Sequence, residues 1–146
     1  MTFHGWLQIE VDVDSADYHL LQEEAISRVQ SEVDLIDDTF SLFDVRRGGN
    51  GMVVLGAHGV RNHRNEMAIE LFRRIGKEFP QSFGLLHLWD DEHLEFDNCF
   101  RVYRYAHGDC LEMDDPHLSP CIPTIEAEYK SSAEQALPAK SDRTGG

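Results

Sequence analysis

From Phe83 to Trp89 the chain reads Phe-Gly-Leu-Leu-His-Leu-Trp, a short apolar run bounded by Pro80 on one side and Asp90-Asp91 on the other. A run of this length and composition predicts a strand at the centre of a sheet, covered on both faces. The rest of the chain must then supply its neighbours and its covering layers. Leu7, Ile9 and Val11 alternate with Gln8, Glu10 and Asp12, the period-two pattern of a half-buried strand that opens near Phe3. Asp14 or Ser15 then caps a helix over residues 16 to 34, in which Tyr18, Leu21, Ala25, Val29 and Val33 share a face opposite Glu23, Glu24, Arg28 and Glu32.

Thr39 to Arg46 is rich in Phe, Leu, Val and Thr but breaks alternation at Leu42-Phe43, which predicts a strand with a bulge or with burial on two sides. Gly48-Gly49-Asn50-Gly51 joins it as a hairpin to the extended run Met52 to Ala57. A second helix is expected over residues 64 to 79, where Met67, Leu71, Ile75 and Phe79 recur every fourth residue, Glu70 is placed to pair Arg74, and Pro80 stops the chain. Asp97 to Ala106 reads as a strand, turned by His107-Gly108-Asp109 into a short last one at Cys110 to Met113. The order β-α-β-β-α-β-β, with a small final strand, predicts an α+β fold: a mostly antiparallel sheet with two helices on one face, ferredoxin-like or a variant of it. Residues 1 to 126 make one domain. From residue 127 to 146 the composition turns to Ser, Ala, Glu, Lys and Pro, which predicts a polar, mobile tail with at most a helical turn near Ala127.

Charge narrows the class of partner. With 13 Lys and Arg against 27 Asp and Glu the formal net charge is −14, which disfavours free nucleic acid and anionic membranes and favours a basic partner. The excess is uneven: residues 1 to 40 and 81 to 126 are strongly acidic, and residues 41 to 80 are mildly basic. No apolar stretch approaches the roughly 20 residues that span a bilayer, and the Met1-Thr2-Phe3-His4 start lacks the features of a signal peptide, so a cytoplasmic protein is expected. Cys99, Cys110 and Cys121 lack the spacing of a disulfide framework or a zinc knuckle and read as reduced thiols. Nothing in the pattern specifies an oligomeric state.

The acidic run Asp90-Asp91-Glu92-His93-Leu94-Glu95-Phe96-Asp97 joins two predicted central strands and puts five carboxylates in one loop. It has no glycine at the turn and no Asp ladder, so it is not a calcium loop. It is either an ordinary solvated loop or a surface that steers a cationic partner, with Glu112, Asp114 and Asp115 of the last hairpin as an extension and Trp89 or Phe96 as an aromatic anchor. A competing site is the turn holding His58, His63 and Arg64, expected to open the second helix, where imidazoles and a guanidinium would suit an anion or a general base. Its bland counterpart is that Asn62 caps the helix and the others are first-turn residues. The eight histidines form no HExxH or similar pair, and no nucleophile elbow or phosphate loop is present, so no metal, cofactor or catalytic residue is assigned. A small hydrolase or nucleotide-processing enzyme built on His58, His63 and Arg64, and a ligand-binding or dimeric regulatory module, stay open as alternatives.

Four segments carry a family likeness: Phe3-His4-Gly5-Trp6; Gly59-Val60-Arg61-Asn62-His63-Arg64; Ser82-Phe83-Gly84-Leu85-Leu86 running into Trp89-Asp90-Asp91-Glu92; and Leu118-Ser119-Pro120-Cys121-Ile122-Pro123-Thr124-Ile125-Glu126. Together they resemble the immunity protein 7 family of bacterial polymorphic toxin systems over residues 3 to 126. The resemblance implies an intracellular α+β protein, without catalytic residues, that binds and neutralises the toxin domain encoded beside it. Joined to the acidic charge, it makes a basic, nuclease-type toxin the expected partner.

Overall fold

The computed structural model describes residues 1–121; the tail expected from residue 127 lies outside them. Eight elements follow in chain order: β1 (Thr2–Ile9), α1 (Tyr18–Asp34), β2 (Ser41–Arg47), β3 (Val53–Val60), α2 (Met67–Glu78), β4 (Phe83–Trp89), β5 (Phe100–Ala106) and β6 (Asp109–Asp114). The strands form one antiparallel sheet in the order β2-β3-β1-β4-β5-β6. Its first four positions are the split β-α-β arrangement expected of a ferredoxin-like chain: α1 carries the chain past β3's place and α2 past β1's. The β5-β6 hairpin widens the sheet beyond β4.

The core lies between the sheet and the helices. Phe3, Leu7 and Ile9 of β1, Val53, Leu55 and Ala57 of β3, Leu86 and Leu88 of β4, and Tyr103 and Tyr105 of β5 meet Ala25, Val29 and Val33 of α1 and Ile69, Leu71, Phe72 and Ile75 of α2, all buried. Phe72 and Tyr105 meet edge to face at 5.5 Å, and the Tyr105 hydroxyl donates to the Ile69 carbonyl of α2. Gln22, the buried polar residue of α1, donates to the carbonyl of Gly51 and so ties the helix to the β2-β3 turn. That turn needs left-handed backbone at Asn50 and Gly51; the β5-β6 turn needs it at His107 and Gly108, a two-residue geometry that matches strand twist.

Four sequence expectations change. The central strand is covered on one face only: Gly84, Leu86 and Leu88 are buried, whereas Leu85, His87 and Trp89 are half-buried and Phe83 is exposed. Both crossovers place their helices on the same side, so among the described residues no layer remains for the other. No bulge interrupts β2, whose register runs unbroken from Ser41 opposite Gly59 to Arg47 opposite Val53. Its doubled apolar pair arises because Phe43 packs against the core while Leu42 points outward. Arg74 binds not Glu70 but Glu32 of α1 at 3.0 Å, an inter-helix ion pair. Finally, α2 starts at Met67, three residues after Arg64, with Glu66 at its cap position; the side chain that holds its first N–H is not Asn62 but Asn65, whose Oδ1 accepts from the Met67 N–H at 2.7 Å. Asn65→Ala is therefore expected to lower stability by about 1 kcal/mol, and Asn62→Ala by less than about half of that, in thermal unfolding.

Candidate functional site

The loop between β4 and β5 begins with a carboxylate turned inward. Asp90 is 5% exposed; its Oδ1 accepts from the Glu92 N–H at 3.2 Å and its Oδ2 faces Arg64 Nη1 at 3.4 Å. Arg64 also binds Glu66 and meets Tyr103. Burial opposes its charge, but these partners hold the guanidinium above its already high ordinary value. Asp91 binds the ammonium of Met1 at 3.0 Å, and this hydrogen bond keeps its carboxyl below the usual range. Glu92 faces His63 Nδ1 at 3.2 Å. His93 Nδ1 accepts the N–H groups of both Glu95 and Phe96, closing the loop's tip on itself.

The last hairpin adjoins this loop in space. Arg101 of β5 lies 4.2 Å over the Phe96 ring and binds Glu112 at 2.9 Å and Asp114, both on β6. Burial works against the Arg101 charge, and these two carboxylates more than compensate. One basic side chain therefore gathers the loop and the hairpin into one acidic edge of the sheet. Asp115 is not part of its surface: it is 3% exposed, and its Oδ2 accepts from the Leu118 N–H at 2.6 Å.

The carboxylates proposed as a surface thus divide. Asp90 and Asp115 are interior groups that shape backbone, because each follows a strand end where backbone N–H groups lack a partner. Asp91, Glu112 and Asp114 are held by a cation and Glu92 by the His63 ring, yet all four lie at the surface, and Glu95 and Asp97 flank the loop tip. Neither aromatic anchor projects freely. Trp89 donates from Nε1 to the Asp97 carbonyl at 2.7 Å and stacks on Phe100, and Phe96 is capped by Arg101. The apolar group that does project is Leu94, 99% exposed beside a hollow of about 610 Å³ lined by Arg64, Asp90, Glu92, His93 and Glu95. The signal for it was a lone leucine inside a charge run, which periodicity does not weigh.

His58, His63 and Arg64 do not converge. His58 lies on β3, and its Nδ1 is 3.2 Å from Nδ1 of His4 on the uncovered sheet face. His63 and Arg64 belong to the loop before α2 and engage Glu92 and Asp90. They cannot serve as the anion clamp of a helix N-terminus, since that helix begins at Met67. Among the described residues no three His, Cys, Asp or Glu side chains converge as metal ligands, and no helix is long and apolar enough to cross a membrane. The Cys121 thiol is buried, which together with nearby Cys99 pushes it above the usual thiol range, away from nucleophilic use.

Comparison with known proteins adds one match. The family model of immunity protein 7 covers residues 1–127. No curated protein and no solved structure matches the chain.

Proposed function

The chain belongs to the immunity protein 7 family, and from that premise we propose that it neutralises its cognate toxin by laying the acidic edge of the sheet into a basic cleft of the toxin domain. The family makes it an immunity protein of a toxin system, whose partner is a protein. The observation that supports the acidic edge is the gathering of the β4-β5 loop and β6 around Arg101, which sets six surface carboxylates, Asp91, Glu92, Glu95, Asp97, Glu112 and Asp114, against Arg101 and the Met1 ammonium. That excess of negative charge on one edge steers a basic domain toward it and supplies charge-assisted hydrogen bonds once docked.

A toxin that attacks nucleic acid needs a basic cleft to hold phosphates, so carboxylates at this spacing compete for the same groups. We therefore read the partner as a nuclease-type toxin and the protein as an inhibitor without chemistry of its own. Leu94 is the apolar contact placed at the centre of the charge. Inhibition then needs only that the edge fill the cleft.

The informative substitutions are those at exposed side chains on which the fold leans least, the solvent-screened Glu92 among them. Glu92→Lys, Glu95→Lys and Asp97→Lys together, assayed against the toxin domain encoded beside this gene, should slow association by roughly tenfold or more and flatten its dependence on salt, with loss of protection in co-expressing cells. Unchanged association rate, affinity and protection in a folded triple variant would move the interface elsewhere.

A further inference from the structure

We propose that the uncovered face of the sheet is a contact between two copies of this chain, centred on the His4–His58 pair and released by acid. It goes beyond the toxin-binding reading, uses a different face, and is tested on the protein alone.

Among the described residues this face has no covering layer, and apolar side chains surround the histidines at its middle. The strand register aligns Leu42, His58, His4, His87, Val102 and Met113 in one row across β2-β3-β1-β4-β5-β6. In the next row Trp6, 42% exposed, stands between Gly56 and Leu85, with Phe83 edge-on to its ring at 6.0 Å. His4, His58, His87, Trp6 and Leu42 line a hollow of about 520 Å³ whose floor is Gly5 and Gly56. Soluble monomers rarely leave a contiguous apolar patch of this kind open.

Its polar groups fit a second copy. With the two Nδ1 atoms 3.2 Å apart, one imidazole donates and the other accepts. The donating ring is left with a bare Nε2, an acceptor, and the accepting ring with an Nε2–H, a donor. A two-fold axis running between β1 and β3 sets His4 of one copy over His58 of the other, donor against acceptor twice. Four strands spaced about 4.8 Å apart and about seven residues long bury on the order of 1,000 Å² between two copies, at the low end of specific interfaces, so a micromolar dimer is expected.

Acid undoes this match. A protonated imidazole only donates, so facing pairs lose their acceptors and gain like charge. His87 stands in the same row, its Nδ1 buried without a hydrogen bond among the described residues. Among the described residues the other charged groups on the face are Asp44 and Arg46 of β2, which pair with each other, Glu10 beside Gln8, Arg104 of β5, and Asp109 at the corner of β6; Asp44 lies over Gly56 next to His58, with Arg46 balancing its charge. Burial, followed by His58 and His87, already keeps His4 below the ordinary imidazole value. Docking deepens both causes, so the dimer binds fewer protons than two monomers and is favoured above the ordinary histidine range and lost as pH falls through it.

Sedimentation velocity on the full chain near pH 8 and near pH 5.5, from about 1 to 100 µM, reads this out. The expected result is a dimer near pH 8 with a dissociation constant at least about tenfold weaker near pH 5.5. Trp6→Lys should be monomeric at both pH values with an unchanged circular dichroism spectrum. His4→Gln with His58→Gln, whose amides donate and accept at every pH, should dimerise with the pH dependence reduced. A wild type that stays monomeric near pH 8 at the highest concentration overturns the proposal, as does a dimer that Trp6→Lys leaves intact or one indifferent to pH. A wild type that does not self-associate but loses toxin binding on Trp6→Lys would overturn the proposal and assign the face to the toxin.

Discussion

Gly84→Ala is expected to leave the chain largely unfolded, while Gly76→Ala should stabilise it. A Cβ at Gly84 would lie 2.1 Å from the carbonyl oxygen of Trp6 and 2.7 Å from the Cα of Leu7, both backbone atoms of β1. Neither can swing aside as a side chain would, because β1 is hydrogen-bonded on its other edge to β3. Relief requires β4 to separate from β1 in the middle of the sheet, with Leu86 and Leu88 drawn out of the core. The cost should exceed the about 1–3 kcal/mol of ordinary overpacking, which is a large part of a small domain's stability. At Gly76, on the inner side of α2, a Cβ meets only the Tyr105 ring at 3.8 Å, an ordinary contact. Removing glycine's conformational freedom from a helix should therefore gain roughly 0.5–1 kcal/mol. Urea unfolding of the two variants measures both signs. A Gly84→Ala protein within about 1 kcal/mol of wild type would mean that β1 and β4 do not pair in this register.

Arg64→Ala should cost about 2 kcal/mol of folding stability and His63→Ala less than about 0.5, although the two residues are neighbours. Arg64 faces Asp90, whose side chain is 6% exposed, and removing the guanidinium leaves that carboxylate inside the protein with only a backbone N–H. The figure is set below that of a fully buried pair because the Arg64 side chain is itself 36% exposed, so water replaces part of the loss. His63 and Glu92 are 82% and 53% exposed, a pair that solvent screens almost entirely. Combining Arg64→Ala with Asp90→Asn should recover part of the stability, since the neutral amide removes the uncompensated charge. Chemical denaturation of the three variants reads this directly. If Arg64→Ala were as stable as wild type, the inward turn of Asp90 would have no cation behind it.

These residues show where reading the sequence went well and where it stopped. The alternation from Leu7 to Val11 and the four-residue recurrence from Met67 to Phe79 are local patterns, and the elements they predict are present within a few residues of the expected ends. Local pattern also fails locally. Asn62 is the expected cap of the second helix, but α2 begins only at Met67 and Asn65 accepts its first N–H, an outcome set by where β3 releases the chain. The acidic loop was visible as a charge run, but a run of carboxylates contains no record of which cations arrive from elsewhere. Arg64 comes from 26 positions away, and Arg101 joins Phe96 to Glu112 and Asp114. The row of His58, His4 and His87 was out of reach for the same reason, since three strands must pair in one register before the imidazoles become neighbours.

The sequence by itself determined the kinds of element, their order, the α+β class and the family, because helix and strand periodicities and short motifs are properties of neighbouring residues. Only the tertiary structure decided which face of the sheet stays open, which carboxylates reach the surface, and that His58 and His63 serve separate places. Those outcomes depend on topology and register. Two crossovers to the same side cover one face and leave the other bare, and a pairing shift of one residue would turn every side chain of a strand to the opposite side.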